Sequence, residues 1–134
     1  MAVARYAHLC DEVWNYGLAG ALQDHQDIGH SLTIGTIGKY IPGGFGHGTV
    51  PHLSFNAGVG KLISSDFPIH DLENRRKLSE TWDVVDMEGY GIAYACQYLQ
   101  KPFEMHKIVS DFASPGGREL IRTHKAALSE RMAQ

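Results

Sequence analysis

Apolar residues along the chain fall into runs whose spacing predicts strands that alternate with helices. The strand-like runs are short and β-branched or alternating, and they cover 12–16, 31–39, 61–65, 81–86 and 103–109. Helical spacing of apolar positions marks 1–9, 90–99 and 117–132, while 71–79 reads as a charged turn or short helix. A Gly-rich stretch at 42–48 separates two of the strands as a loop or lid. The pattern therefore predicts an α/β fold.

The run that ends at Asp86, the helix at 90–99 and the run at 103–109 form a strand, a helix and a strand in succession. This order predicts a parallel crossover unit. Ligands of open α/β sheets bind beyond the carboxyl ends of the strands. Glu88 and Asp111 follow two such ends, so we expect them side by side in a ligand site. A glycine-containing turn at 17–21, just past the first strand, is expected at the same rim.

The composition limits the classes of function that fit this chain. Its 134 residues suffice for one domain, 1–134, and a net charge of −3 gives no support for binding nucleic acid or an anionic membrane. No apolar stretch approaches the roughly 20 residues of a membrane span, and no signal peptide is visible. Cys10 and Cys96 lack CxxC spacing, and the eight histidines lack paired metal spacing. We therefore expect a cytoplasmic protein with reduced thiols and without metal or cofactor.

Short motifs in chain order resemble those of the nucleoside phosphorylase and nucleosidase superfamily. The glycine turn resembles its Gly-x-Ala-Gly motif, and the other matching stretches are Ser64-Ser65-Asp66, Asp86-Met87-Glu88-Gly89 and Ile108-Val109-Ser110-Asp111. The resemblance runs from about Ala2 to Arg131 and is strongest to methylthioadenosine/S-adenosylhomocysteine nucleosidases and futalosine hydrolases. It implies a three-layer α/β/α fold with a mixed, mostly parallel central sheet.

The resemblance also implies roles for individual residues in cleaving a purine nucleoside. Asp111, oriented by Ser110, would protonate the leaving purine, since a neutral purine leaves more easily than an anion. Glu88 would accept hydrogen bonds from both ribose hydroxyls, a bidentate task suited to a carboxylate. Further substrate contacts are implied for Ala19, Gly20, Phe67, Pro68, Met87 and Lys107. The residues themselves leave simpler readings open, which are helix capping for Asp86 and Glu88, a turn position for Asp111 and a solvated strand-end position for Lys107.

Three further expectations follow from the resemblance. Phosphorolytic relatives place Arg and Ser where this chain has Asn15 and Leu18, so water is favoured over phosphate as the nucleophile. Methylthioadenosine nucleosidases usually have Ser at Leu18 as well, whereas futalosine hydrolases are more variable there. The family carries further residues before the present start, which implies an amino-terminally truncated chain whose sheet exposes apolar edges. A homodimer that acts on a small-molecule nucleoside is implied as well. An inactive nucleoside-binding or scaffolding remnant and a phosphorolytic enzyme are the alternatives.

Overall fold

The computed structural model describes residues 11–41, 52–55, 58–69 and 71–113. The helices expected at 1–9 and 117–132 and the Gly-rich loop at 42–48 lie outside these residues. The described residues form β1 (Val13–Ala21), β2 (Ser31–Lys39), β3 (His52–Ser54), β4 (Gly60–Ser64), α1 (Leu72–Ser79), β5 (Val84–Asp86), α2 (Gly89–Tyr98) and β6 (Phe103–Asp111). Every strand and helix expected within the described residues is confirmed, and β3 is an addition.

The strands form one mixed sheet that closes on itself. The order is β3-β2-β4-β5-β1-β6, and a further pairing of β2 with β6 completes a ring of five strands. Three strand pairs are parallel (β1 with β6, β2 with β4, β4 with β5) and three are antiparallel (β1 with β5, β2 with β3, β2 with β6). The expectation of open sheet edges is therefore wrong for these five strands, since closure removes edges. The three-layer α/β/α arrangement stays a prediction.

The parallel crossover lies one unit earlier in the chain than the sequence predicted. β4, α1 and β5 form it, because β4 and β5 pair in parallel with Ser64 opposite Asp86. The expected crossover from β5 through α2 to β6 is wrong: β1 lies between these two strands, antiparallel to β5 and parallel to β6. Pairing at both of its edges also makes 17–21 part of strand β1, where the sequence predicted a turn.

Helix α2 packs against the sheet. Ala93 and Cys96 of α2 join the main core cluster, which includes Leu62, Met105 and Val109 of the sheet. A second cluster lies at the ends of the strands and contains Leu22, Ile63, Ile69, Trp82, Val85 and Ala113. Within the described ranges, no helix is both long and apolar enough to cross a membrane.

Candidate active site

A cavity of about 490 Å³ opens where the chain leaves β5 and β6. Four segments line it: β1, the stretch that follows β4, the junction of β5 with α2, and the end of β6. Eight of the nine residues that the sequence assigned to a site lie on its wall, namely Gly20, Phe67, Pro68, Met87, Glu88, Lys107, Ser110 and Asp111. Strand β1 separates Glu88 from Asp111 in the sheet, yet both carboxylates face this one cavity.

Asp111 is held in a fixed orientation at the end of β6. The register between β1 and β6 shifts here, since Ala19 pairs with Val109 but Gly20 pairs with Asp111. A shift of this kind re-aims side chains and is common next to active sites. The Ser110 hydroxyl donates to Asp111 Oδ1 at 2.8 Å, and the Ala113 backbone N–H donates to Oδ2 at 3.0 Å. The carboxyl group is thus buried, and a hydrogen bond to each of its oxygens fixes its orientation.

Asp86 forms the centre of a buried polar network beside the cavity. Its Oδ1 accepts a hydrogen bond from the Ser64 hydroxyl at 2.6 Å, and its Oδ2 accepts one from Gly89 N–H at 2.9 Å. The Ser64 hydroxyl in turn accepts the Tyr90 N–H at 2.8 Å, so two N–H groups at the start of α2 are satisfied from the sheet. The capping role that the sequence left open for Asp86 is therefore confirmed.

Lys107 supplies the charge partner of Asp86. Its Nζ lies 3.2 Å from Asp86 Oδ2, and each side chain exposes only 4% of its surface. The solvated strand-end reading of Lys107 is wrong because the residue lies within β6, on the same face as Met105 and Val109 of the core. Gly17 lies opposite Lys107, and a Cβ at this position would lie 2.7 Å from Lys107 Nζ, so the lysine side chain would have to shift.

Glu88 presents its side chain to the cavity without a structural task at the helix end. It occupies the N-cap position of α2 but makes no side-chain capping bond. Capping as the explanation of Glu88 is therefore wrong, because Asp86 performs it. Met87 lies beside it in the chain and is 52% exposed, and Phe67, which also lines the cavity, is 63% exposed. The cavity therefore offers the exposed Glu88 carboxylate together with exposed apolar groups.

Ala19 is the site residue that the structure places elsewhere. It is buried in the main core cluster and does not line the cavity. Its carbonyl oxygen still lies 3.4 Å from the Ser110 hydroxyl. Sequence reasoning missed the pairing of Asp86 with Lys107. The sequence did contain a signal for this pairing. Lys107 lies two residues from both Met105 and Val109, so it shares the apolar face of the strand, where a lysine needs a partner.

The rest of the wall bears on the choice of nucleophile. Asn15 and Leu18, which stand where phosphorolytic relatives have Arg and Ser, both line the cavity. Lys107 is the one basic side chain among the described residues that line the cavity, and it forms an ion pair with Asp86. The described part of the chain contains no group of three or more His, Cys, Asp or Glu side chains suited to a metal ion.

Closed mixed sheet, crossover and cavity together define the class of fold. No family model and no curated protein matches the sequence. Solved structures of nucleosidases and of a futalosine hydrolase do match, which confirms the resemblance at the level of the fold. The nucleosidase MTAN from Chlamydia trachomatis is 25% identical with a TM-score of 0.77, and the match covers 92% of this chain and 61% of that one.

Two Helicobacter pylori proteins show the same fold at lower identity. The 5′-methylthioadenosine/S-adenosylhomocysteine nucleosidase is 17% identical with a TM-score of 0.81, covering 98% of this chain and 68% of that one. A futalosine hydrolase mutant is 16% identical with a TM-score of 0.82, covering 98% and 70%. The chain thus spans about three fifths to seven tenths of the length of these proteins. Structures of the Chlamydia protein bound to MTA and to adenine also match.

Proposed function

We propose that this chain is a single nucleosidase-like domain that hydrolyses the N-glycosidic bond of a modified purine nucleoside of the methylthioadenosine, S-adenosylhomocysteine or futalosine type. The observation that carries the proposal is the placement of Asp111 and Glu88 on one cavity, with Asp111 oriented by Ser110 and Ala113. The MTA-bound and adenine-bound neighbours support a small-molecule ligand of this class.

Asp111 acts on the leaving base in this proposal. A protonated carboxyl group donates to a ring nitrogen of the purine, so that the base leaves as a neutral molecule. Ser110 and the Ala113 N–H hold the carboxyl group, which restricts it to orientations that face the cavity. Fixed geometry of this kind lowers the entropy cost of reaching the transition state.

Glu88 acts on the sugar. Its exposed carboxylate accepts hydrogen bonds from the two ribose hydroxyls, and its charge stabilises the ribosyl cation that develops as the bond breaks. Met87 packs against the ribose, and Phe67 and Pro68 cover the base. Lys107 lies at the sugar edge with its charge matched by Asp86.

Water attacks the ribosyl cation in this scheme: as its oxygen bonds to the anomeric carbon it releases a proton to solvent, and the Asp111 carboxylate that protonated the base regains a proton from solvent. A cation that pairs with phosphate would favour a phosphate nucleophile, but the Lys107 charge is already paired with a carboxylate, and Leu18 supplies no hydroxyl donor on the wall. We further propose that the active form is a cytoplasmic homodimer, as the resemblance to the nucleosidases implies.

The test is release of free base from purified chain, measured by chromatography. The substrates are methylthioadenosine, S-adenosylhomocysteine, futalosine and inosine, each with and without phosphate. Asp111→Asn is compared with Asp27→Asn, which removes an exposed carboxylate outside the cavity wall. We expect phosphate-independent release from at least one of the modified nucleosides, loss of about a hundredfold or more in Asp111→Asn, and unchanged release in Asp27→Asn.

Other outcomes separate the alternatives. Release that requires phosphate would indicate the phosphorolytic enzyme. Binding of adenine without release from any substrate would indicate the nucleoside-binding remnant. Equal rates for Asp111→Asn and Asp27→Asn would refute the role of Asp111.

A further inference from the structure

Arg75 of α1 reaches beneath the strand ends that carry the candidate acid. Its Nε donates to the Phe112 carbonyl oxygen at 2.7 Å and lies 3.4 Å from the Ala21 carbonyl oxygen. Its Nη1 lies 2.8 Å from the carboxylate of Asp24. The Arg75 side chain is only 13% exposed, whereas that of Asp24 is 92% exposed, so the contacts to the two carbonyl groups are the buried ones.

The two carbonyl groups belong to the residues that directly follow the paired site residues. Ala21 follows Gly20, Phe112 follows Asp111, and Gly20 pairs with Asp111 across the two strands. The guanidinium therefore holds together the ends of β1 and β6 at the point where the register shifts. Both carbonyl oxygens face the same Nε–H, with the shorter contact to Phe112 and the longer one to Ala21.

The segment that Arg75 holds has an unfavourable backbone conformation. Ala113 has a φ of 49°, in the left-handed region that an alanine rarely adopts. It is also the residue whose N–H donates to Asp111 Oδ2. Strained residues persist only where the surroundings fix them, and the bond from Arg75 to the neighbouring Phe112 carbonyl is one such restraint.

We propose that Arg75 is a positioning residue for Asp111: it fixes the 112–113 backbone and thereby the orientation of the carboxyl group in the cavity. Arg75 does not line the cavity itself, so it acts through the backbone alone. α1 follows the segment that supplies Phe67 and Pro68, and Ile69 of that segment shares a core cluster with Ala113. Arg75 thus joins the wall that covers the base to the group that protonates it. The kinetic part of this inference rests on the proposed function.

The first test needs no activity. Hydrogen exchange of the Ala113 amide reports directly on the bond to Asp111, since opening of the segment exposes this N–H. In Arg75→Met we expect exchange at Ala113 to accelerate by about tenfold or more. Arg76→Met, a change at the exposed neighbouring arginine, and Asp24→Asn, which removes only the exposed ion-pair partner, serve as matched controls and are expected to leave it unchanged. Unchanged exchange in Arg75→Met overturns the proposal.

The second test separates positioning of the acid from general damage. Hydrolysis of a purine nucleoside that the wild-type chain cleaves needs Asp111 as the acid. The p-nitrophenolate group of p-nitrophenyl ribofuranoside, in contrast, leaves without being protonated. We expect Arg75→Met to lower kcat for the purine nucleoside by about tenfold to a hundredfold with little change in KM, and to lower the nitrophenyl rate less than about threefold. Arg75→Lys keeps one donor and should lie between wild type and Arg75→Met.

Each result then has one meaning. Equal losses on both substrates show a merely structural role and overturn the proposal. If Arg75→Met does not fold, Arg75→Lys carries both tests, and an Ala113 exchange rate and a substrate ratio equal to wild type in that variant overturn it. If the wild-type chain releases no base, the proposed function fails, and the exchange measurement still decides whether Arg75 fixes the acid-bearing segment.

Discussion

The buried ion pair between Asp86 and Lys107 predicts an unequal response to the loss of either partner. Asp86 has three partners in the structure, which are the Ser64 hydroxyl, the Gly89 N–H and the Lys107 ammonium. The ammonium of Lys107, in contrast, has Asp86 as its charge partner among the described residues. Removal of the carboxylate should therefore destabilise the fold more than removal of the ammonium.

The expected magnitudes follow from these contacts. Breaking a buried pair by removing one partner costs about 3–5 kcal/mol. In Lys107→Met the carboxylate keeps two hydrogen bonds, each worth about 1.5–3 kcal/mol to a charged group, so we expect a loss of about 2–3 kcal/mol. In Asp86→Asn the ammonium stays buried without an opposite charge, so we expect about 4–5 kcal/mol. The double variant should lose at least about 2 kcal/mol less than the sum, because it contains no uncompensated charge.

Urea unfolding without ligand, followed by circular dichroism, measures these differences. With an m-value of about 1–3 kcal/mol/M, the loss in Asp86→Asn shifts the midpoint by more than about 1 M. Lys77→Met is the control, since it removes a lysine from an exposed ion pair with Glu73 and should cost about 0.5 kcal/mol or less. Strict additivity in the double variant, or a larger loss in Lys107→Met than in Asp86→Asn, would refute the reasoning.

Three further changes test other parts of the structure. Gly20→Ala places a Cβ 3.1 Å from that of Ala113, so we expect it to displace the segment that carries Asp111 and to lower kcat by about tenfold. An unchanged kcat would contradict the proposed dependence of catalysis on the position of this segment. Asp71→Ala removes the side chain that caps α1, which should cost about 0.5–2 kcal/mol in thermal or urea unfolding; Asp71→Asn should retain most of it. Glu88→Gln should lower kcat/KM for ribosides by about a hundredfold while stability stays within about 0.5 kcal/mol of wild type, since this side chain caps nothing; a large loss of stability would contradict that assignment.

The sequence predicted most of the elements because their signals are local. Alternation and β-branched runs located β2, β4, β5 and β6, and helical spacing located α2. The charged stretch before β5 was recognised as a turn or short helix, and its cap at Asp71 is a local signal too. Where an element depends on its own residues, the pattern along the chain is sufficient.

The sequence could not predict which strands are neighbours, because pairing depends on residues far apart in the chain. The 17–21 segment looks like a turn, yet glycine suits it there because Lys107 and Ala113 approach the backbone closely. A lysine at a strand end looks solvated until its partner Asp86 is known to lie opposite. The cavity itself was predictable in its main residues, since Asp111 and Glu88 both follow strand ends.

The closure of the sheet through β2 and β6 has a consequence for how the protein is made. β6, the last strand of the described chain, pairs with β1 and with β2, the two earliest ones. Pairings of such long sequence separation are slow to form and cannot begin before β6 has left the ribosome. Because β6 also carries Asp111, the same strand both closes the ring and supplies the proposed acid. A nascent chain stopped before β6 therefore lacks both the closed sheet and the acid.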